Sequence, residues 1–203
     1  MYFTGKGDKG KTEINSKKIA KDSLIFEVLG ELDELNSLIG LSKNYIPKKF
    51  FKKLTEIQND LFIIQTNVAY YLYSSDKYVY STNKRGFKSV CLLVMHDFIQ
   101  TKFNLTKLKE ERIKELEKEI KEIEKKIKIQ ESFVIYGSNK ESAWFDYLRG
   151  LVRRIERRLV NFDKKFKLDD NILSYINRLS SYFYAIARFI CYNKKIKERS
   201  PWY

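Results

Sequence analysis

From Asp22 onward the chain alternates between stretches in which apolar residues recur every three or four positions and short polar interruptions. The first stretch, "DSLIFEVLGELDELNSLIGLSKNY", offers Asp22 or Ser23 as a cap and sets Ile25, Val28, Leu29, Leu32, Leu35 and Ile39 on one face. That spacing predicts an amphipathic helix. Pro47 opens a second segment in which Phe51, Leu54, Ile57, Leu61, Ile64 and Val68 repeat the period and run into the tyrosines near residue 70. Residues 74–86 have a loop composition, and 88–103 predict a short, mostly buried helix. The charged tract "KLKEERIKELEKEIKEIEKKIK" places Ile113, Leu116, Ile120, Ile123 and Ile127 on a heptad-like seam, so it predicts a long helix packed on one side of a bundle. After a turn at 136–142, two more helices are predicted at about 141–163 and 170–194, separated by "DKKFKLDD". Residues 1–22 show no helical period and predict an extended arm. The sum is an all-α bundle of five to six helices in a single domain.

Composition supports that pattern. Two prolines and eight glycines in 203 residues leave few breakers, which favours long helices with short connections. Cys91 and Cys191 are far apart and His96 is the one histidine, so no zinc-ligand cluster is predicted and the thiols fit a reducing compartment. No apolar run reaches membrane-spanning length and no signal-peptide core is present, so a cytoplasmic protein is expected. The formal charge of +14 admits nucleic-acid binding. Many of the lysines, however, are interleaved with glutamates in tracts that read as solvated helix faces.

"GKGDKGKT", residues 5–12, satisfies the spacing of a P-loop, with Gly5, Gly10, Lys11 and Thr12 in the fixed places. A P-loop needs a buried strand before it and a helix after it, and only "MYFT" precedes Gly5. What survives is a glycine-rich basic loop suited to phosphate oxygens. Polar residues also recur inside the predicted helices. Arg149, Arg153 and Arg157 fall four apart, beside the apolar line of Leu148, Leu151, Val152, Ile155 and Leu159, with Glu156 placed to orient one guanidinium. A solvated basic face is one reading; a phosphate-binding stripe is the other, because planar guanidinium forks bind phosphate with fixed geometry. Gly30, Asp33, Ser37 and Gly40 form a small, polar line on the first helix, and Asn177, Ser181 and Arg188 form one on the last. An aspartate facing the bundle interior requires a cationic partner.

Four ordered blocks resemble the ATP:cob(I)alamin adenosyltransferases of the PduO type. They are "TGKGDKGKT" at 4–12, "LGELDELNSLIGL" at 29–41, "FVIYGSNKESAWFDYLRGLVRRIERRLV" at 133–160 and "YINRLSSYFYAIAR" at 175–188, with "LTEIQNDLFIIQTNVA" at 54–69 similar to the family's second helix. The segment 74–130 looks like an enlarged variable loop and long charged helix. The resemblance implies a ferritin-like, up-down bundle in a homotrimer, with ATP and cobalamin at subunit interfaces. It implies transfer of the 5′-deoxyadenosyl group of ATP to the cobalt of reduced corrinoid, releasing triphosphate.

By matching position, Thr4, Gly5, Lys6, Gly7, Gly10, Lys11, Thr12 and Lys21 would hold the triphosphate, and Arg153, Arg154, Glu156, Arg157 and Asn177 would complete the ATP site. Asp33, Arg149 and Arg153 match catalytic positions, Asp33 pairing with Arg149 from helix to helix. Phe133, Ile135 and Arg149 match the cobalamin side, where Phe133 would crowd the lower corrin face and leave four-coordinate Co(II). The resemblance implies Mg²⁺ held by ATP phosphates, with no protein side chain as metal ligand. It also implies a flavoprotein reductase and a B12-dependent acceptor enzyme as partners, and neither nucleic acid nor membrane. Lys6 stands where the family prefers threonine, and Gly5 where it has Arg or Lys. Tyr136 and Ser138 replace a proline and a glycine, and Ser181 an aspartate. Two alternatives stay open: a basic helical module that binds nucleic acid, and a relative that binds ATP or corrinoid without turnover.

Overall fold

The computed structural model describes residues 7–14, 17–73, 105–127 and 132–202. The helix expected at 88–103, with Cys91 and His96, and the loop residues Thr4, Gly5 and Lys6 lie outside them. Two short strands, β1 (Lys11–Ile14) and β2 (Lys17–Ala20), precede α1 (Leu24–Ser42). A 3₁₀ turn at Lys48–Phe50 leads into α2 (Phe51–Tyr73), and α3 (Glu110–Glu124), α4 (Lys140–Phe166) and α5 (Asp170–Asn193) complete the bundle. The bundle is the expected one. The arm differs from expectation: it is an antiparallel hairpin in which Lys11 faces Ala20 and Ile14 faces Lys17.

Each helix forms where the three-four apolar period runs, and that period is what it buries. Val28, Leu32, Leu35 and Ile39 of α1 and Leu54, Ile57, Leu61, Ile64 and Val68 of α2 are completely buried. Helix α4 buries Phe145, Leu148, Val152, Ile155, Leu159 and Phe162 against α5, which contributes Ile176, Leu179, Phe183 and Ile186. Full burial of each such side chain stabilises by about 1.5–3 kcal/mol before chain entropy is counted against it. Asn139 starts α4 by accepting from the backbone N–H groups of Glu141 and Ser142, both at 3.1 Å, and Asp169 caps α5 by accepting from Asn171. Helix α1 packs on α2 and α4, and α3 packs on α5.

Two charged networks lie within this apolar frame. In the first, the Arg112 guanidinium of α3 forks onto the buried Asp60 of α2, at 3.1 Å through Nε and 2.9 Å through Nη2, and Tyr175 of α5 donates to the same carboxylate at 2.8 Å. Lys53 adds a 2.9 Å ion pair to Glu119, which also accepts from the Tyr182 hydroxyl at 2.8 Å. Three helices therefore meet on one satisfied carboxylate, and the heptad-like tract docks through it: only Ile113 and Leu116 of its seam are fully covered.

In the second, Arg188 of α5 holds Asp146 of α4 through Nη2, at 2.7 and 2.8 Å, in a buried pair. The chain after α5 folds back over it. Glu198 Oε1 approaches Arg188 Nη1 at 3.1 Å, and Arg199 O accepts from the Ile135 N–H at 2.8 Å, tying the tail to the segment before α4.

The first network predicts that Asp60→Ala lowers unfolding free energy by about 2–4 kcal/mol, because it strands the guanidinium and the Tyr175 hydroxyl. Tyr175→Phe should cost about 1 kcal/mol. Urea denaturation followed by circular dichroism measures both; equal small losses would mean that α3 does not dock through this carboxylate. The second network predicts a pH effect. Burial pushes the Glu198 carboxyl up from its ordinary value of 4.5, while Arg188 and Cys191 pull it down less and Asp146 adds to the rise. A raised folded value means that the stability Glu198 contributes is complete below pH 4.5 and is lost as pH climbs through the raised value. Glu198→Gln should flatten that part of the stability-pH curve, leaving the slope that the buried Asp146 carboxyl supplies.

Candidate functional site

The hairpin presents a basic loop. Gly10 sits at φ 69°, a conformation that favours glycine, and its carbonyl accepts from the Lys21 backbone N–H at 2.9 Å. A Cβ on Gly7 would lie 2.7 Å from Lys21 Nζ, so the absence of a side chain there lets the Lys21 ammonium lie over the loop. Lys11 and Thr12 belong to β1, with Lys11 exposed. No helix starts behind Gly10, which removes the anion-binding helix N-terminus that a P-loop requires. Gly7, Gly10, Lys11, Thr12 and Lys21 are thus brought together as one loop and its edge.

Helix α4 sorts its arginines onto two sides of its buried stripe. Arg153 and Arg157 are exposed and Arg149 is half-buried along one side, where Arg157 Nη1 donates to the Arg153 carbonyl at 3.0 Å. Glu156 accepts from Asn177 Nδ2 at 2.8 Å, and Arg178 ties that asparagine to α3 through Glu117, with bonds of 2.7 Å each. Arg154 and Arg158 lie on the other side, against α1. Arg154 Nη2 reaches Glu34 at 2.6 Å, Arg158 Nη1 reaches Glu27 at 3.2 Å, and Glu31 lies between them at 3.6 and 3.5 Å. Within this chain Arg154, expected among the ATP residues, stands apart from Arg153 and Arg157: one position along the helix turns it about 100° away, into an ion-paired seam.

A cavity of about 440 Å³ opens between α3, α4, α5 and the tail, with Arg149, Arg153, Ser181 and Tyr184 among its walls. Arg149 Nη1 donates to the Tyr136 hydroxyl at 3.1 Å, and its guanidinium carbon lies 5.1 Å from the Tyr184 ring centre and 5.7 Å from that of Tyr136. Phe133 is 76% exposed and Ile135 46% exposed on the segment before α4. The polar line on α1 faces outward: Gly30, Asp33 and Ser37 are exposed. Asp33 and Arg149 form no ion pair within one chain, because Arg149 turns toward the two tyrosines while Asp33 points to solvent. Among the described residues no three His, Cys, Asp or Glu side chains gather to hold a metal ion, and no helix is long and apolar enough to cross a membrane.

Sequence reasoning missed Asp146 and the role of Tyr136. The signal for Asp146 is an aspartate between Phe145 and Leu148 on an apolar face, where burial demands a cationic partner. Its partner Arg188 stood out by the same logic.

With this geometry in hand, comparison with known proteins is specific. The family model for cobalamin adenosyltransferase matches residues 2–190. A corrinoid adenosyltransferase of Bacillus subtilis is 31% identical over 193 residues, covering 93% of this chain and 85% of the relative. A solved variant of a PduO-type ATP:corrinoid adenosyltransferase from Lactobacillus reuteri, complexed with ATP, has a TM-score of 0.77 at 24% identity, covering 98% of this chain and 99% of that one. A second variant of that enzyme, complexed with cobalamin and ATP, also scores 0.77, at 23% identity and with 99% and 96% covered. The resemblance carried by the four sequence blocks is matched along nearly the whole chain, and the chain belongs to the cobalamin adenosyltransferase family.

Proposed function

We propose that this protein transfers the 5′-deoxyadenosyl group of ATP to the cobalt of a reduced corrinoid and releases triphosphate. The observation that carries the reading is the outward stripe of Arg149, Arg153 and Arg157, beside the Glu156–Asn177 pair and the mouth of the cavity. Relatives named as corrinoid adenosyltransferases, and fold neighbours solved with ATP and cobalamin, support it. In the reaction the Co(I) electron pair forms the Co–C5′ bond, the C5′–O bond breaks, and its electrons leave on triphosphate. No protein nucleophile or base is consumed. The chain's task is to orient ATP and to neutralise the leaving group.

In that division of labour Arg153 and Arg157 face the triphosphate, with Lys21 and the loop residues Thr4, Gly5, Lys6, Gly7, Gly10, Lys11 and Thr12 gripping it. The Glu156–Asn177 pair fixes the edge of the ATP site. Phe133 and Ile135, exposed before α4, offer an apolar face to the corrin, and Arg149 stands between the two substrates. Mg²⁺ enters with ATP, bound through its phosphates. The whole chain acts as one adenosyltransferase domain.

No hydrogen bond or ion pair among the described residues joins the hairpin to the arginine stripe, and Asp33 looks away from Arg149. A site assembled from both halves therefore takes the hairpin and α1 face of one copy and the α4 stripe of another. A homotrimer is the closed arrangement we propose, built from heterologous contacts of this kind. It acts in the cytoplasm with a flavoprotein that reduces the corrinoid and a B12-dependent enzyme that receives the product.

The test is an anaerobic assay with chemically reduced cobalamin and MgATP, followed by the absorbance change that accompanies Co–C bond formation. Adenosylcobalamin should accumulate with one triphosphate per turnover; an unchanged spectrum with fully reduced corrinoid would refute the reading. Arg153→Ala should lower kcat/KM for ATP about 10- to 100-fold, as expected for one charged hydrogen-bond donor. The two-copy site makes a separate prediction. Asp33→Ala and Arg149→Ala should each be impaired, yet refolding them together in equal amounts should restore about a quarter of wild-type turnover, the share of interfaces that random mixing leaves intact.

A further inference from the structure

Arg188 is not among the residues that the reaction invokes, yet its surroundings are unusual. Its Nε and Nη1 atoms, and Glu198 Oε1, are buried and form no hydrogen bond among the described residues. Glu198 Oε1 comes within 3.1 Å of Nη1, but off hydrogen-bonding geometry. The Arg188 side chain is 8% exposed and that of Asp146 3% exposed, and the pair is a direct one at 2.7 Å. Its polar edge is enclosed, so a substrate in the cavity that Arg188 helps to line would not meet that edge. What it presents instead is its flat face. The guanidinium carbon lies 4.9 Å from the Tyr184 ring centre and 5.8 Å from that of Tyr136. Those are the two rings that Arg149 meets, at 5.1 and 5.7 Å, and Tyr136 also accepts the Arg149 hydrogen bond.

We infer that Arg188 is a positioning residue for Arg149: clamped at its edge by Asp146 and Glu198, it fixes Tyr184 and Tyr136 between the two guanidiniums, and the rings set where Arg149 stands. The inference rests on the reading of Arg149 given above. The physical basis is additive. Each ring face attracts a cation, and desolvation strengthens that attraction on the Arg188 side. Neither tyrosine can swing away without losing two cationic neighbours, and Arg149, which forms no ion pair among the described residues, is confined by the rings. The fold supports the arrangement from three directions. Asp146 fixes Arg188 from α4, Glu198 fixes it from the tail, and Gly137, at φ 88°, makes the turn that carries Tyr136 back over α4.

Removing Arg188 alone would leave Asp146 buried and uncompensated, so the test exchanges the pair. Asp146→Met with Arg188→Met replaces it by apolar side chains, an exchange that is often neutral or stabilising for a buried ion pair. The reversed pair, Asp146→Arg with Arg188→Asp, keeps the charges but moves the guanidinium off the tyrosines. Two readouts are taken. In the substrate-free protein the Arg149 guanidinium N–H resonances, assigned by their disappearance in Arg149→Lys, should be displaced by ring currents. In both double variants they should return toward the position of a free arginine. In the anaerobic assay both variants should lose about 10- to 100-fold in kcat, the scale of a small misplacement, while KM for ATP stays within about twofold. Wild-type Arg149 resonances in a folded Met–Met protein would overturn the inference, as would wild-type kcat in either variant. Should the unmodified protein show no turnover, the reaction assignment fails while the resonance arm still decides the positioning.

Discussion

Helix α4 carries five arginines between positions 149 and 158, and the way their repulsion is relieved governs the rest of the site. Like charges four apart on a helix destabilise it by a few tenths of a kcal/mol per pair, roughly. The buried stripe of Leu148, Leu151, Val152, Ile155 and Leu159 fixes the helix's rotation against α1 and α5. On the α1 side Glu27, Glu31 and Glu34 answer Arg154 and Arg158. On the other side no ion pair among the described residues answers Arg153 and Arg157: Glu156 is engaged by Asn177, and Arg149 lies on tyrosine rings. Compensation on one face and exposure on the other makes the second face a standing site for a polyanion. Lysine would supply the charge, but not the rigid fork that fixes a triphosphate's orientation.

The bundle was legible because burial follows the apolar period directly. Val28, Leu32, Leu35 and Ile39 occupy the core in the order their spacing predicts, and α2 repeats this with Leu54 to Val68. Helix ends were less so: α4 runs to Phe166, beyond the expected 163, where Phe166 stacks on Phe162 at 4.6 Å and both meet Tyr71. The hairpin was not legible, since "KTEI" and "KKIA" lack the alternation that marks a half-buried strand, although Ile19 packs on the core. The arginine stripe and the loop could be found from period and composition, whereas Glu156, expected to orient a guanidinium, accepts from Asn177. Which side of α4 each arginine serves could not, because α1's position decides it. The Asp33–Arg149 pairing belongs to neither level, for a single chain does not bring the two residues together.

The proposed chemistry asks little of acid-base groups and much of fixed charge. Cobalt supplies the electron pair and triphosphate accepts one, so the barrier falls when the leaving oxygens find positive charge already in place. Arginines held by a rigid helix do this without reorganising. Tyrosines beside them add walls that are apolar on the face and polar at the rim. Such a wall suits a cavity where a nucleotide's charge and a corrin's flat, largely apolar ring must meet.

The two buried networks separate structure from service. Asp60 is satisfied by Arg112 and Tyr175, and it joins three helices. Arg188 is built from the same chemistry but left incomplete, with Nε and Nη1 lacking hydrogen bonds although sealed from water. An unmade hydrogen bond on a buried charged group costs about 1–3 kcal/mol or more. Glu198, 3.1 Å from Nη1, offsets part of that cost. The same guanidinium lies 4.9 and 5.8 Å from the ring centres of Tyr184 and Tyr136, the rings that Arg149 meets at 5.1 and 5.7 Å. A buried pair that packed α4 on α5 and did nothing else would have no need to share both rings with the arginine on the cavity wall, and that sharing is the reason to assign Arg188 to the placement of Arg149.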